Sequence, residues 1–302
     1  MAPSIFKDNT IKLPKTINTN FSSHSILSEL HYQLANLNTD VINFDFSDVT
    51  FIASNQFAIL GCIIDTYRSH HPNTVIYFKN LSEEIKSTIQ KNGFYKHFNF
   101  NALPDKYHTT IQYTIFNINN INEFEKYVLL SIFNRQDIPK MSEKVRNKII
   151  DNILEIFNNV KEHTNSKNVY ACGQYFPKNS FLYFTIVDSG ETIPYNVHTY
   201  CNSIEIAVPD NLLKWAIAPG HTTRQSKTPG GLGLSLLQDF IELNNGKLYI
   251  VSGNEVYEKN GKKDTYKIMQ YPFPGTIVTM AFNLSDKSIY HMSSEDLSEI
   301  IF

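Results

Sequence analysis

Apolar residues recur with helical spacing most regularly in SEKVRNKIIDNILEIFNNVKEHTNS, at Val145, Ile149, Ile150, Ile153, Leu154, Ile156, Phe157 and Val160. This spacing predicts a helix with a wide buried face, started by Ser142 as N-cap with Glu143 in its first turn and stopped by the polar run from His163 to Ser166. Upstream, residues 11–17 read as an edge strand, 26–37 as a helix, 41–47 as a strand, 55–70 as a helix, 74–80 as a strand, and 82–94 as a helix ended by Gly93. That βαβα order predicts a mostly parallel sheet covered by helices. A strand over about 109–118 and a helix over INEFEKYVLLSIFNR follow, and the pattern leaves open which neighbour they join.

Downstream, residues 167–176 and 181–188 form two apolar runs around the turn PKNS, an antiparallel hairpin. Residues 195–209 read as irregular, SLLQDFIELNNG as a helix closed by Gly246, and 247–252, 265–271 and 275–282 as strands. The expected second architecture is an α/β sandwich: a mixed, mostly antiparallel sheet with three main helices on one face. The tail SSEDLSEIIF reads as a short helix whose Ile and Phe dock on a partner or on the body. A length of 302 residues allows two domains, divided here as 1–108, a connecting strand and helix over 109–140, and 141–302.

Hydrophobic residues at 42% and charged residues at 19% are globular values, and the net charge of −2 argues against strong nonspecific nucleic-acid binding. No apolar run approaches a membrane span, and MAPSIFKDNTIKLPK lacks a hydrophobic signal core, so a cytoplasmic protein without membrane attachment is expected. Cys62, Cys172 and Cys201 are odd in number and widely spaced, which implies neither a disulfide framework nor a zinc site.

Three stretches carry candidate chemistry. On the 142–163 helix, Glu155, Asn159 and His163 drift by about 40° per four-residue step and share one stripe. A carboxylate and a carboxamide so placed suit Mg²⁺ and a water or hydroxyl to be oriented or deprotonated, or else form a solvated polar edge. Asp188 stands at a strand end beside the Ser189–Gly190 turn, where it is either a turn device or a site carboxylate. The polar run HTTRQSKTP, with Arg224 and Lys227 as phosphate contacts or ordinary solvated charges, leads into Gly230, Gly231, Leu232, Gly233 and Leu234 at a helix start. Glycines there let N–H groups approach an anion, or simply make a tight turn.

In this order the stretches EIFNNVKEH, DSG and GGLGLSLL, closed by PGTIVTMAF, resemble the ATP-binding (Bergerat-type) domain of the GHKL superfamily over roughly residues 142–284. The resemblance implies ATP and Mg²⁺ as cofactors. Asn159 corresponds to the Mg²⁺-binding Asn, Glu155 to the base or water-orienting acid, and Asp188 with Gly190 to the adenine-binding turn. Gly231, Leu232, Gly233 and Leu234 correspond to the phosphate-side glycine box, Gly275 and Thr276 to the last box, and His163 to a frequent basic position, where it also reads as a helix C-terminal imidazole. The family's DxGxG departs here to Asp188, Ser189, Gly190, Glu191, Thr192.

FDFSDVTFIASNQFAIL resembles the turn region of STAS domains of anti-sigma-factor antagonists, over about residues 11–97. There a hydroxyl before the helix is phosphorylated by a partner kinase. Only Ser54 keeps one, and as a residue it also reads as an N-cap. A STAS-like module implies partner proteins.

The two resemblances imply an ATP-binding regulator that hydrolyses ATP or phosphorylates a Ser or Thr on a partner, with Glu155 as base. The alternative is a nonenzymatic ATP-gated switch, and a homodimer is compatible with either. A two-component histidine kinase is disfavoured because INEFEKYVLLSIFNR offers no phosphoacceptor His, and a gyrase- or MutL-type ATPase is disfavoured by the slightly acidic charge and by the lack of a transducer after residue 285.

Overall fold

The computed structural model describes residues 6–7, 9–97, 100–221 and 233–292. Pro14 cannot donate to a strand ladder, and the single edge strand expected over 11–17 is instead two short ones in different sheets. β1 (Phe6–Lys7) pairs antiparallel with β2 (Thr10–Lys12), whereas β3 (Thr16–Ile17) lies beyond the proline. Asn20 caps α1 (Phe21–Ala35) by accepting the Ser23 N–H, so this helix starts five residues earlier than its apolar spacing suggests. β4 (Val41–Asp45), β5 (Phe51–Ile52), α2 (Gln56–His70), β6 (Val75–Lys79) and α3 (Glu83–Lys91) follow. The sheet order is β1-β2-β4-β6 with parallel β2, β4 and β6, and β3 pairs parallel with β5. This N-terminal unit is the parallel α/β arrangement its βαβα order predicts.

The strand left unassigned above is β7 (Thr110–Asn117), and it is an edge of the second sheet, beside β8 (Asn168–Phe176). After it come α4 (Ile121–Val128), a π-helical turn at Leu129–Phe133, and the long α5 (Glu143–His163), against which α4 stacks Phe124 on Phe157. β9 (Phe181–Asp188) precedes α6 (Ile193–Ser203) and α7 (Leu212–Ile217), and α8 (Gly233–Leu243) precedes β10 (Lys247–Asn260) and β11 (Lys263–Asn283). The sheet order is β10-β11-β9-β8-β7, antiparallel throughout rather than mixed.

Two expectations are corrected here. The run read as irregular contains α6, capped by Thr192 with proline in its first turn and held by buried Val197 and Cys201, an i,i+4 pair too sparse to signal a helix on its own. The strands expected at 265–271 and 275–282 are one strand, and 247–252 extends to Asn260, so that the two make a long hairpin.

The expectation of helices on one face alone is also revised. α4, α5, α7 and α8 share a core with one face of the five-stranded sheet, while the other face carries α1 and α2. On β9, Leu182, Phe184 and Ile186 belong to the first core and Val187 to the second, the near-continuous apolar run of a strand buried on both sides.

The turn entering α2 is the polar centre of this docking. Ser54, Asn55 and Gln56 are wholly buried. The Ser54 N–H donates to Gln174 Oε1 at 2.6 Å, its hydroxyl accepts from Asn92 Nδ2 at 3.1 Å, and the Cys172 thiol donates to its carbonyl at 3.1 Å. Asn55 Nδ2 donates to Thr185 Oγ1 and to Thr19 Oγ1, both at 2.9 Å, and Thr185 shares a 2.7 Å hydrogen bond with Thr279. The N-cap position belongs to Asn55, which makes no side-chain cap, so Ser54 is not the N-cap its sequence position suggests. The three cysteines are buried and unbridged.

Candidate functional site

β9 delivers Asp188 to the sheet's end, where it is only 3% exposed and lies opposite Thr276 of β11. Its carboxylate accepts the Gly190 N–H at 2.9 Å and the Thr276 backbone N–H. Burial nevertheless pushes this carboxyl up to about 7, because desolvation outweighs the two backbone donors. The site therefore holds an acid near its titration point at neutral pH, able to accept or to donate.

Two glycines make this geometry possible. A Cβ on Gly190 would overlap the Thr164 side chain, which follows α5, so the turn is wedged against that helix end; Asn165 Nδ2 also donates to Glu191 Oε1 at 2.9 Å. Gly275 has φ +128, and a Cβ there would overlap the Asp188 carbonyl. Ser252 ties the rim together: its hydroxyl accepts the Ile193 N–H at 2.8 Å, donates to the Gly275 carbonyl at 3.1 Å, and shares a hydrogen bond of 2.8 Å with Thr276 Oγ1. Thr192, which stands where the resemblance places a second glycine, caps α6 by accepting the Tyr195 N–H at 3.2 Å.

The structure thus brings Asp188, Gly190, Gly275 and Thr276 together at the C-terminal end of α5. Asn159 and Glu155 are half-buried on α5, five and nine residues before Thr164, which is roughly 8 and 14 Å of axial rise. His163 closes α5, and its side chain lies outside the described residues. Gly233 and Leu234 open α8, which packs beside α5. Arg224, Lys227, Gly231 and Leu232 lie outside the described residues, as does the tail helix expected after residue 292.

Two buried polar groups escaped the sequence reading, one lower on α5 and one against the Asp188 turn. Asn152 sits seven residues before Asn159, about 20° away on the same stripe, is 3% exposed, and has no hydrogen-bond partner for Nδ2 among the described residues. A carboxamide at i−7 on a buried face was the available signal. From the opposite side, α2 sets buried Cys62 against the Asp188–Ser189 turn. Burial, with the Asp188 charge adding to it, pushes this thiol well up, and the Ser189 and Thr66 hydroxyls hydrogen-bond to it.

Among the described residues there is no group of three or more His, Cys, Asp or Glu side chains placed to hold a metal, and no helix long and apolar enough to cross a membrane. A scan against protein-family models and a search of curated proteins find no match to the chain.

Proposed function

We propose that residues 142–284 form a GHKL-type ATP-binding domain in a regulatory protein that hydrolyses ATP or passes its γ-phosphate to a Ser or Thr of a partner. The observation that carries this reading is the buried Asp188 at a strand end, with Gly190 wedged on α5 and Thr276 opposite it. A buried carboxyl balanced between its two protonation states suits the amino-and-ring-nitrogen edge of a purine, and water cannot compete for it there.

The residues present fit a magnesium nucleotide. Asn159 offers a hard carbonyl oxygen, Asp188 offers the base-recognising carboxyl, and the start of α8 at Gly233 offers the N–H groups of a helix N-terminus to phosphate. When bound, Mg²⁺ supplies charge neutralisation on the phosphates. Glu155, one turn before Asn159, orients or deprotonates the attacking water or hydroxyl. The Ser54 hydroxyl, closed in by Asn92 and Cys172, favours an acceptor on a partner over one in the same chain. The STAS-like reading of the N-terminal unit then concerns its ancestry and partner surface rather than an exposed phosphoswitch.

A nonenzymatic ATP-gated switch is favoured by one observation, the core shared between the N-terminal unit and the nucleotide-side strands. ATP binding and turnover with Mg²⁺ decide between these readings. Asn159→Ala is expected to weaken Mg-dependent binding by about tenfold or more, and Glu155→Ala to abolish turnover with binding kept. Radiolabelled γ-phosphate separates transfer from hydrolysis. Wild-type protein that does not bind ATP would end the proposal.

A further inference from the structure

The β10–β11 hairpin outruns the sheet. Residues 247–252 pair with 276–281 beside β9, but after register shifts around Gly253 the strands continue alone, from Glu255 opposite Ile268 to Asn260 opposite Lys263. In this arm cross-strand partners share a face, so Glu255, Tyr257 and Lys259 point one way and Val256, Lys267 and Met269 the other.

The first face holds α7 and α8, the helices on either side of residues 222–232. The Glu255 carboxylate, 7% exposed, accepts the Leu213 N–H at 2.7 Å and the Leu212 N–H at 3.3 Å, at the start of α7. Tyr257 donates to Gln238 Oε1 of α8 at 3.2 Å, and Gln238 Nε2 donates to the Ile217 carbonyl at the end of α7, also at 3.2 Å. Lys259, 5% exposed, pairs with Glu242 of α8 at 2.9 Å and with Asp264 at 3.2 Å.

The second face lies on α1. Ser28 Oγ meets Met269 Sδ at 3.8 Å, the tilted rings of Tyr32 and Tyr271 lie 4.8 Å apart, and the Lys267 ammonium stands 4.9 Å from the Phe21 ring centre. Val256 and Met269 belong to the core of α1 and α2, whereas Tyr257 belongs to that of α5, α7 and α8. At its root, the arm continues the strands that carry Ser252 and Thr276 beside Asp188.

We propose that this arm transmits the position of the N-terminal unit to the nucleotide site, with Glu255, Tyr257 and Lys259 as positioning residues for α7 and α8. Buried polar groups are costly to leave unmatched, so the two helices follow the arm when it tilts, while the contacts with α1 set the tilt. The inference rests on the ATP reading for its functional consequence, but not for its mechanical one.

Hydrogen exchange on the full-length protein without nucleotide, with ATP binding measured on the same samples, tests it. Glu255→Ala is expected to speed exchange in residues 212–221 about tenfold, equivalent to about 1.4 kcal/mol, with Glu255→Gln falling in between because it keeps an acceptor. Met269→Ala touches neither helix, yet is expected to speed exchange in 212–221 and 236–243 and to weaken ATP binding severalfold. Half-exposed Tyr271→Ser gives the same reading where Met269→Ala fails to fold. Faster exchange confined to α1 in the Met269 and Tyr271 variants overturns the proposal. Wild-type protein with no ATP affinity but with the expected exchange overturns only the nucleotide reading.

Discussion

Asp188→Asn should stabilise the ligand-free protein at alkaline pH and abolish the nucleotide binding proposed for it, an opposition that ordinary damage does not produce. Burial holds the Asp188 carboxyl at about 7 against an ordinary 3.8, so between these values the native state keeps a proton that the unfolded chain has released. Stability therefore falls as pH rises through that window, and the loss is complete above it. Roughly three pH units at about 1.4 kcal/mol each give an upper bound of about 4 kcal/mol. Asn removes the charge but leaves an oxygen for the Gly190 N–H, now met at 2.9 Å. Urea denaturation of both proteins at pH 5 and pH 8 should show the variant ahead only at pH 8, by about 1–4 kcal/mol. Histidine titration affects both proteins alike, so the difference between them isolates Asp188. A variant less stable than wild type at pH 8, or a difference independent of pH, would refute the reasoning.

Two further outcomes concern the docking of the N-terminal unit. His24 of α1 is wholly buried, with neither ring nitrogen hydrogen-bonded among the described residues, and burial lowers it to about 4; below an unfolded value of 6.5 the native state refuses a proton that the unfolded chain takes, so wild type loses stability as pH falls through this window. His24→Leu should lose less on going from pH 7 to pH 4, by up to about 3 kcal/mol, and equal urea-midpoint shifts for the two proteins would count against it. Gly61→Ala sets a Cβ into the Tyr113 phenol, 2.7 Å from Cζ, and should cost about 1–3 kcal/mol in urea denaturation, only partly recovered by Tyr113→Phe; a cost-free Gly61→Ala means that α2 does not sit against β7 as described.

The elements with strong periods were legible in the sequence. The 142–163 helix and the 181–188 strand appear where their apolar spacing places them, and that strand sets Asp188 beside the Gly190 turn. α6 was not legible, because its inward side offers little beyond Val197 and Cys201. Nor was the arm as a continuous hairpin, since Glu255, Glu258 and Lys259 make residues 253–264 look like a polar connection until α7 and α8 are there to pair with Glu255 and Lys259. The contacts of Ser54 and Asn55 with β8 and β9 span more than 100 residues of chain, so no local pattern records them. Propensity describes a segment, but which face of a sheet a distant helix covers is decided only by packing.

The place of β11 in the sheet also constrains how the protein is made. The last strand among the described residues inserts between β10 and β9, and the sheet it completes is the floor on which α1 and α2 rest. During synthesis α1, the helix that packs on β11, cannot complete its contacts until the strand ending at residue 283 has emerged from the ribosome, a long delay of the kind that chaperones serve.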